Sequence, residues 1–208
     1  MSEYKDLTIC KDAQIMLKKA QEDGIETAWD RLKKQQPQCG YCELGVSCRI
    51  CAMGPCRIDP FGEGPQLGVC GADADIIVAR NLARMVGAGS ASHSDHGRDI
   101  VDVLHKIGLD KTSCYNITDA VKLKSVAKEY GIKTDGISEK EIARQLAEAM
   151  MDDYGMKKDM LTFISRVPKQ RVDIWKKARV VPRGIDREVT EMMHRTHMGV
   201  DNNYVSIL

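Results

Sequence analysis

Apolar residues recur at every third or fourth position through most of this chain, the spacing of helices with one buried face. Within residues 11–35, Ile25, Ala28, Trp29 and Leu32 keep that spacing and predict a helix. Pro37 ends it, because the residue before a proline avoids the helical region. Residues 73–87 carry Ile76, Ile77, Leu82, Met85 and Val86 and predict a buried helix. The run GAGSAS at 87–92 predicts a break, and residues 92–107 a new helix capped by Ser92 or Ser94. Further helices are expected near 118–130, 138–153, 168–179 and 184–197. Thr118–Asp119 is a cap signal, and Ser138 with Glu141 three residues on reads as a capping box. Gly131, Gly155 and Gly199 stand where helices stop. The best strand signal is the short ARVV at 178–181.

The periodicity vanishes over residues 38–71, which are rich in Gly and Pro and read as loop. The expected fold is therefore mainly α, a helical domain with a Cys-rich loop near its N-terminus. Its parts are an N-terminal helix over 1–37, the Cys-rich loop over 38–72, and a helical portion over 73–208. A loop of that length inside a compact domain needs something besides its own backbone to order it.

Composition narrows the picture. With 208 residues and a net charge of +1, nothing global points to nucleic acid or an anionic membrane. No apolar run approaches the roughly 20 residues of a membrane span. MSEYKDLTIC has no apolar signal core, so a cytoplasmic protein without a membrane span is expected. Aromatics are scarce and there are 11 methionines, so a helical core of Met, Leu, Ile and Ala is expected.

Eight cysteines in a chain read as cytosolic are not a disulfide framework. Cys10 and Cys114 stand alone and read as buried, inert thiols. The other six, Cys39, Cys42, Cys48, Cys51, Cys56 and Cys70, follow C-x2-C-x5-C-x2-C-x4-C-x13-C. Structural zinc wants four ligands, commonly in two C-x2-C knuckles 12 to 20 residues apart, and these two pairs are five residues apart. An iron–sulfur cubane wants four thiolates, commonly three close together and one remote, as in Cys48, Cys51, Cys56 and Cys70. Gly54, Gly62, Gly64 and Gly68 let the backbone turn around such a group. Cys39 and Cys42 supply only two ligands. On spacing alone, a cluster shared with a second copy, a pair of free thiols and a redox disulfide all stay open.

The run CRICAMGPCRIDPFG from Cys48, GVCGAD at 68–73 and SHSDHG at 92–97 resemble the N-terminal part of anaerobic nickel–iron–sulfur carbon monoxide dehydrogenase. The stretches 137–155 and 182–201 resemble the same family, so the resemblance covers nearly the whole chain. It implies that Cys48, Cys51, Cys56 and Cys70 hold a [4Fe-4S] relay, the B cluster. It implies that Cys39 and Cys42 belong to the D cluster, shared between the two subunits of a homodimer. In the best-known members the second D ligand directly precedes the first B ligand. Here that position is Ser47, so an intersubunit [2Fe-2S] cluster is favoured over [4Fe-4S].

The resemblance also assigns His93 and His96 to proton handling near the nickel site, in chemistry that suits a group titrating near neutral pH. The next positions at that spacing are Asp99 and Asp102. His105, His194 and His197 receive no role. Arg49 and Arg57 flank ligands and read equally as charge partners of a cluster or as surface ion pairs. The complete enzyme of this family converts CO and water to CO2, two protons and two electrons, passing electrons to a ferredoxin-like acceptor. Its Ni-Fe-S ligands lie in later domains, and beyond Cys70 this chain has only Cys114. The chain is thus expected to be an electron-relay and dimerisation part, inactive alone in CO oxidation. Its expected partners are its own copy across the Cys39/Cys42 edge, the rest of the enzyme chain, and acetyl-CoA synthase. The alternative is a non-catalytic assembly module that pairs with a full-length subunit.

Overall fold

A computed structural model describes residues 4–112, 114–155 and 160–208. It is mainly α. In order come α1 (Lys11–Glu22), α2 (Ala28–Lys34), a single turn α3 (Gly40–Glu43), β1 (Ser47–Cys48), β2 (Cys56–Arg57) and the long α4 (Ala74–Gly108). Then follow α5 (Ala120–Glu129), α6 (Glu139–Tyr154), a 3-10 turn (Thr162–Arg166), α7 (Lys169–Ala178), α8 (Ile185–Arg195) and α9 (Tyr204–Ile207). Among the described residues no helix is long and apolar enough to cross a membrane.

The helix expected over 11–35 is two helices. Gly24, at φ +67°, turns the chain, and Thr27 starts α2. Thr27 and Asp30 close a capping box in both directions, with the Thr27 N–H donating to the Asp30 carboxylate at 2.8 Å. Neither α1 nor α2 has a buried residue.

The break expected at GAGSAS does not occur, and α4 runs for 35 residues, about 52 Å. Its cap is Asp73, whose carboxylate accepts from the Ile76 N–H at 2.9 Å. Ser92 instead donates to the Ala88 carbonyl, and Ser94 is buried against Asp186 of α8. Three of the glycines inside α4, Gly87, Gly97 and Gly108, are close-approach sites, whereas Gly89 meets nothing nearby. A methyl on Gly87 would fall 2.9 Å from the Met192 sulfur of α8, and one on Gly97 would strike the Tyr154 hydroxyl of α6. At Gly108 it would lie 2.6 Å from the Arg144 backbone nitrogen. A helical glycine costs about 1 kcal/mol against alanine, and the packing it admits outweighs that.

The four-residue strand expected at 178–181 is absent. Arg179 takes a left-handed conformation at the end of α7, and the Val180 N–H returns to the Trp175 carbonyl at 2.9 Å. Asp119 caps α5 and Ser138 caps α6. Only half of the second capping box forms, because the Glu141 carboxylate turns to Arg144 and Gln145.

The core has two centres. One, between α4, α5 and α6, gathers Leu123, Ala127, Ile142, Ala143 and Leu146, with Leu104 and Tyr130 packed on it. The other gathers Val46, Ile58, Ala72, Ile76 and Ile77 beneath the Cys-rich segment, with Cys48, Cys70 and Ile207 against it. Among the described residues the buried apolar side chains are Ile, Val, Leu and Ala. Leu, Ile and Ala thus fill the core as expected, while methionine stays at its margin: Met150 packs against it, and Met16, Met53 and Met85 are exposed. Leu82 and Val86, expected to be buried, are also exposed, since α4 turns that face away from α6 and α8. Arg98 of α4 pairs with Asp186 and lies 5.2 Å from the centroid of the Tyr154 ring, tying α4, α6 and α8 together.

Candidate metal centre

Residues 45–58 form a narrow antiparallel excursion. Cys48 lies directly across from Cys56, and Ser47 from Arg57. The Ile58 N–H continues the ladder to the Val46 carbonyl at 3.0 Å. Asn81 of α4 holds this strand from below, donating from Nδ2 to the carbonyls of Gly45 and Ser47, each at 3.0 Å. The chain crosses between the strands through Cys51 and Gly54, whose N–H donates to the Cys51 carbonyl at 3.3 Å. It returns through a turn organised by Asp59, whose carboxylate accepts from the N–H groups of Phe61, Glu63 and Gly64. The Gly64 and Phe61 N–H groups hold that carboxyl below its ordinary range. Gly68 then donates to the Ala72 carbonyl at 2.8 Å and delivers Cys70 to the start of α4.

The consequence is one pocket lined by Cys48, Cys51, Cys56 and Cys70. Its walls are otherwise mostly apolar, with Ile77 and Met198 among them, and Arg80 enters from α4. Nitrogen donors face the sulfurs. The Val69 N–H reaches the Cys56 Sγ at 3.5 Å, and Arg80 Nη1 reaches the Cys70 Sγ at 3.6 Å. Burial raises the Cys70 thiol, but the Ala72 N–H and the Arg80 guanidinium outweigh it, leaving the pKa lowered.

These four residues fit a cubane by their donor set, four thiols on one pocket. The loop is also drawn tight at Gly54, which lines the same pocket. A methyl on Gly54 would stand 3.0 Å from the Cys48 carbonyl, 3.3 Å from the Cys56 nitrogen and 3.5 Å from the Cys51 carbonyl. Gly54→Ala is therefore expected to push three thiol-bearing residues apart, at about 1–3 kcal/mol. A lower thermal midpoint and weaker iron retention would register it; an unchanged midpoint and iron content would refute it.

Cys39 and Cys42 are brought together elsewhere. Cys39 precedes the turn α3 and Cys42 lies within it, both exposed, in a surface groove lined by Gln35, Pro37, Gln38 and Glu43. The Cys42 N–H and thiol, with the Tyr41 N–H, hold the Cys39 thiol below its ordinary value, although no side-chain cap closes on the turn. Arg57, next to Cys56, lies 5.2 Å from the Tyr41 ring centroid, so a cation–π contact links this turn to the four-thiol pocket. Arg49 is exposed.

His93 and His96 lie mid-way along α4 on its exposed surface. The His93 Nδ1 sits 3.0 Å from the Gly89 carbonyl, which leaves Nε2 pointing outward. Thirteen residues, about 20 Å of helix, separate His93 from Arg80, so the structure does not bring the histidines to the thiol pocket. Cys10 and Cys114, expected to be buried, are exposed, one at the N-terminus of α1 without a side-chain capping bond and the other beyond the end of α4. Arg80, Asn81, Asp59 and Tyr41 escape sequence reasoning. The one available signal was an arginine inside the apolar stripe Ile76, Ile77, Ala79 and Ala83.

Comparison with known proteins now decides the family. The model of the Prismane/CO dehydrogenase family matches residues 46–208, from the first strand of the Cys pocket to the end of the chain. The chain belongs to the Prismane/CO dehydrogenase family. Carbon monoxide dehydrogenase 1 of Methanosarcina acetivorans is 53% identical over 94% of this chain and 31% of its own length. Carbon monoxide dehydrogenase 1 of Carboxydothermus hydrogenoformans is 45% identical over 100% of this chain and 33% of its own. The Ni-free crystal structure of carbon monoxide dehydrogenase from Thermococcus sp. AM4 superposes with a TM-score of 0.88 at 53% identity, covering 99% of this chain and 33% of that one. The chain thus spans about a third of the length of the curated relatives it matches.

Proposed function

We propose that this chain is the N-terminal iron–sulfur part of an anaerobic carbon monoxide dehydrogenase, serving electron relay and dimerisation. The observation that carries the reading is the single pocket on which Cys48, Cys51, Cys56 and Cys70 converge. Those four thiolates would hold a [4Fe-4S] cluster, which supplies one-electron uptake and release when bound. The chain's own residues do the rest. Asn81 and the β1–β2 pairing keep Cys48 and Cys56 opposite each other, and the Asp59 turn fixes the path to Cys70. The Val69 N–H and Arg80 donate to sulfur, and the apolar wall limits water.

Cys39 and Cys42 would form half of a second site, completed by the same pair of another copy and favoured as [2Fe-2S]. Their exposure on one turn supports this, because a shared site has to face outward in each chain. His93 and His96 would handle protons beside a Ni-Fe-S centre carried by sequence beyond these 208 residues. There the His93 Nε2 would accept or donate, its Nδ1 held by the Gly89 carbonyl. The exposure of both imidazoles on one stretch of α4 supports that placing. The reaction of the whole would be CO + H2O to CO2, two protons and two electrons, with a ferredoxin-like acceptor.

Metal analysis of anaerobically prepared protein tests the reading. About 5 Fe per chain with matching acid-labile sulfide and no nickel is expected, from one cubane and half of a shared [2Fe-2S] cluster. About 6 Fe would replace the shared cluster by a cubane. A folded chain carrying only zinc would sink the proposal.

A further inference from the structure

Arg80 is 1% exposed, the largest of the fully buried side chains. Its guanidinium is nonetheless poorly matched by the protein. Nη2 donates to the Asp201 backbone carbonyl and to the Asn202 Oδ1, both at 2.8 Å, and both acceptors are neutral. Nη1 reaches the Cys70 sulfur. Nε is buried with no hydrogen-bond partner. Among the described residues no carboxylate lies within ion-pair distance of it. The Asp201 carboxylate is instead taken up by the Ser206 hydroxyl, the Asn203 N–H and, at 3.7 Å, Arg195. A buried cation without a counter-anion is costly, because its desolvation is not repaid. Arg80 also lines the pocket of Cys48, Cys51, Cys56 and Cys70.

We propose that Arg80 is the counter-cation of the group those four thiolates hold, and that it sets the reduction potential of that group. The inference rests on the iron–sulfur reading above. Four thiolates on an iron–sulfur core make a net anion, and taking up one electron adds one negative charge. A fixed cation in a pocket of low dielectric favours the more negative state and so raises the potential. The Asp201 carbonyl and Asn202, from the segment before α9, aim the fork, so Arg80 also ties the pocket to the C-terminal part of the chain.

The test compares wild type, Arg80→Lys and Arg80→Met, prepared anaerobically and titrated against a chemical reductant while the reduced cluster is followed by EPR. Arg80→Met removes the charge at similar volume. Its equilibrium constant for one-electron reduction is expected to fall about tenfold, a drop of about 59 mV. Arg80→Lys is expected to recover most of that drop. A loaded Arg80→Met cluster within twofold of wild type, or one easier to reduce, overturns the proposal. Should only Arg80→Met fail to take up iron, the charge is needed for loading, and the potential is then read on loaded Arg80→Gln, where the same drop is expected and an unmoved potential overturns the proposal. Should neither variant take up iron while both remain helical, the guanidinium shapes the pocket through its hydrogen bonds and not through its charge, and the proposal falls. Wild type without iron and sulfide would remove the underlying reading, and this proposal with it; a loaded wild type with unmoved variants removes this proposal alone.

Discussion

Cys56→Ala is expected to cost the chain nearly all of the roughly four iron atoms proposed for its enclosed site, whereas Cys42→Ala keeps them. The difference follows from where each thiol sits. Cys56 pairs across β1–β2 with Cys48, accepts from the Val69 N–H, and lies 3.6 Å from where a methyl on Gly68 would stand. Removing it takes one of four corners from a site on which the loop over 45–72 depends. That loop has two two-residue strands and is anchored by Val46, Ile58 and Ala72, which leaves the stretch through Cys51 and Gly54 to be ordered by the proposed group. Cys42 lies on the exposed α3 turn, outside the enclosed pocket. Its loss is expected to remove about one iron per chain and to weaken the proposed dimer. Iron and sulfide counts, with sedimentation of both variants, check this. Equal iron loss in the two would contradict the division of ligands.

Ile142→Ala is expected to destabilise the helical part by about 2–5 kcal/mol, without touching any thiol. Ile142 is 0% exposed at the centre of the cluster of Leu123, Ala127, Ala143 and Leu146, where α5 and α4 close over α6. The cavity left there cannot collapse, because Gly108 already brings the backbones of α4 and α6 together. Such a loss is a large share of the roughly 5–15 kcal/mol that folds an ordinary domain. The matched control is Ile100→Ala on the outer face of α4, 72% exposed, expected to change stability by less than about 0.5 kcal/mol. Urea midpoints followed by helical circular dichroism measure both. Similar midpoints for the two variants would mean that α4 packs through its other face.

Much of this was legible in the residues. Helical spacing announced α5 to α8 to within a few positions, because each is short, amphipathic and closed by a local signal such as Asp119, Ser138 or Gly131. The cysteine spacing separated the four residues that share a pocket from the pair that does not, because tight loops gather nearby thiols whatever the rest of the chain does. The errors share a cause. Gly87 and Gly89 are poor helix formers by propensity, and α4 runs through them. The contact at Gly87 that favours one continuous helix comes from Met192, far along the chain. The buried or exposed state of Leu82, Val86 and the methionines depends equally on which neighbours arrive.

The sequence by itself therefore determined what depends on neighbours a few residues apart: mainly helical structure, most helix ends, and six clustered thiols divided four and two. Only the tertiary structure decided what depends on long-range approach. It made α4 one helix, because glycine lets α6 and α8 come close. It placed Arg80 against Cys70 and pinned it with Asp201 and Asn202, residues more than a hundred positions away. A buried charge draws its meaning from what surrounds it, and those surroundings are assembled only when the chain folds.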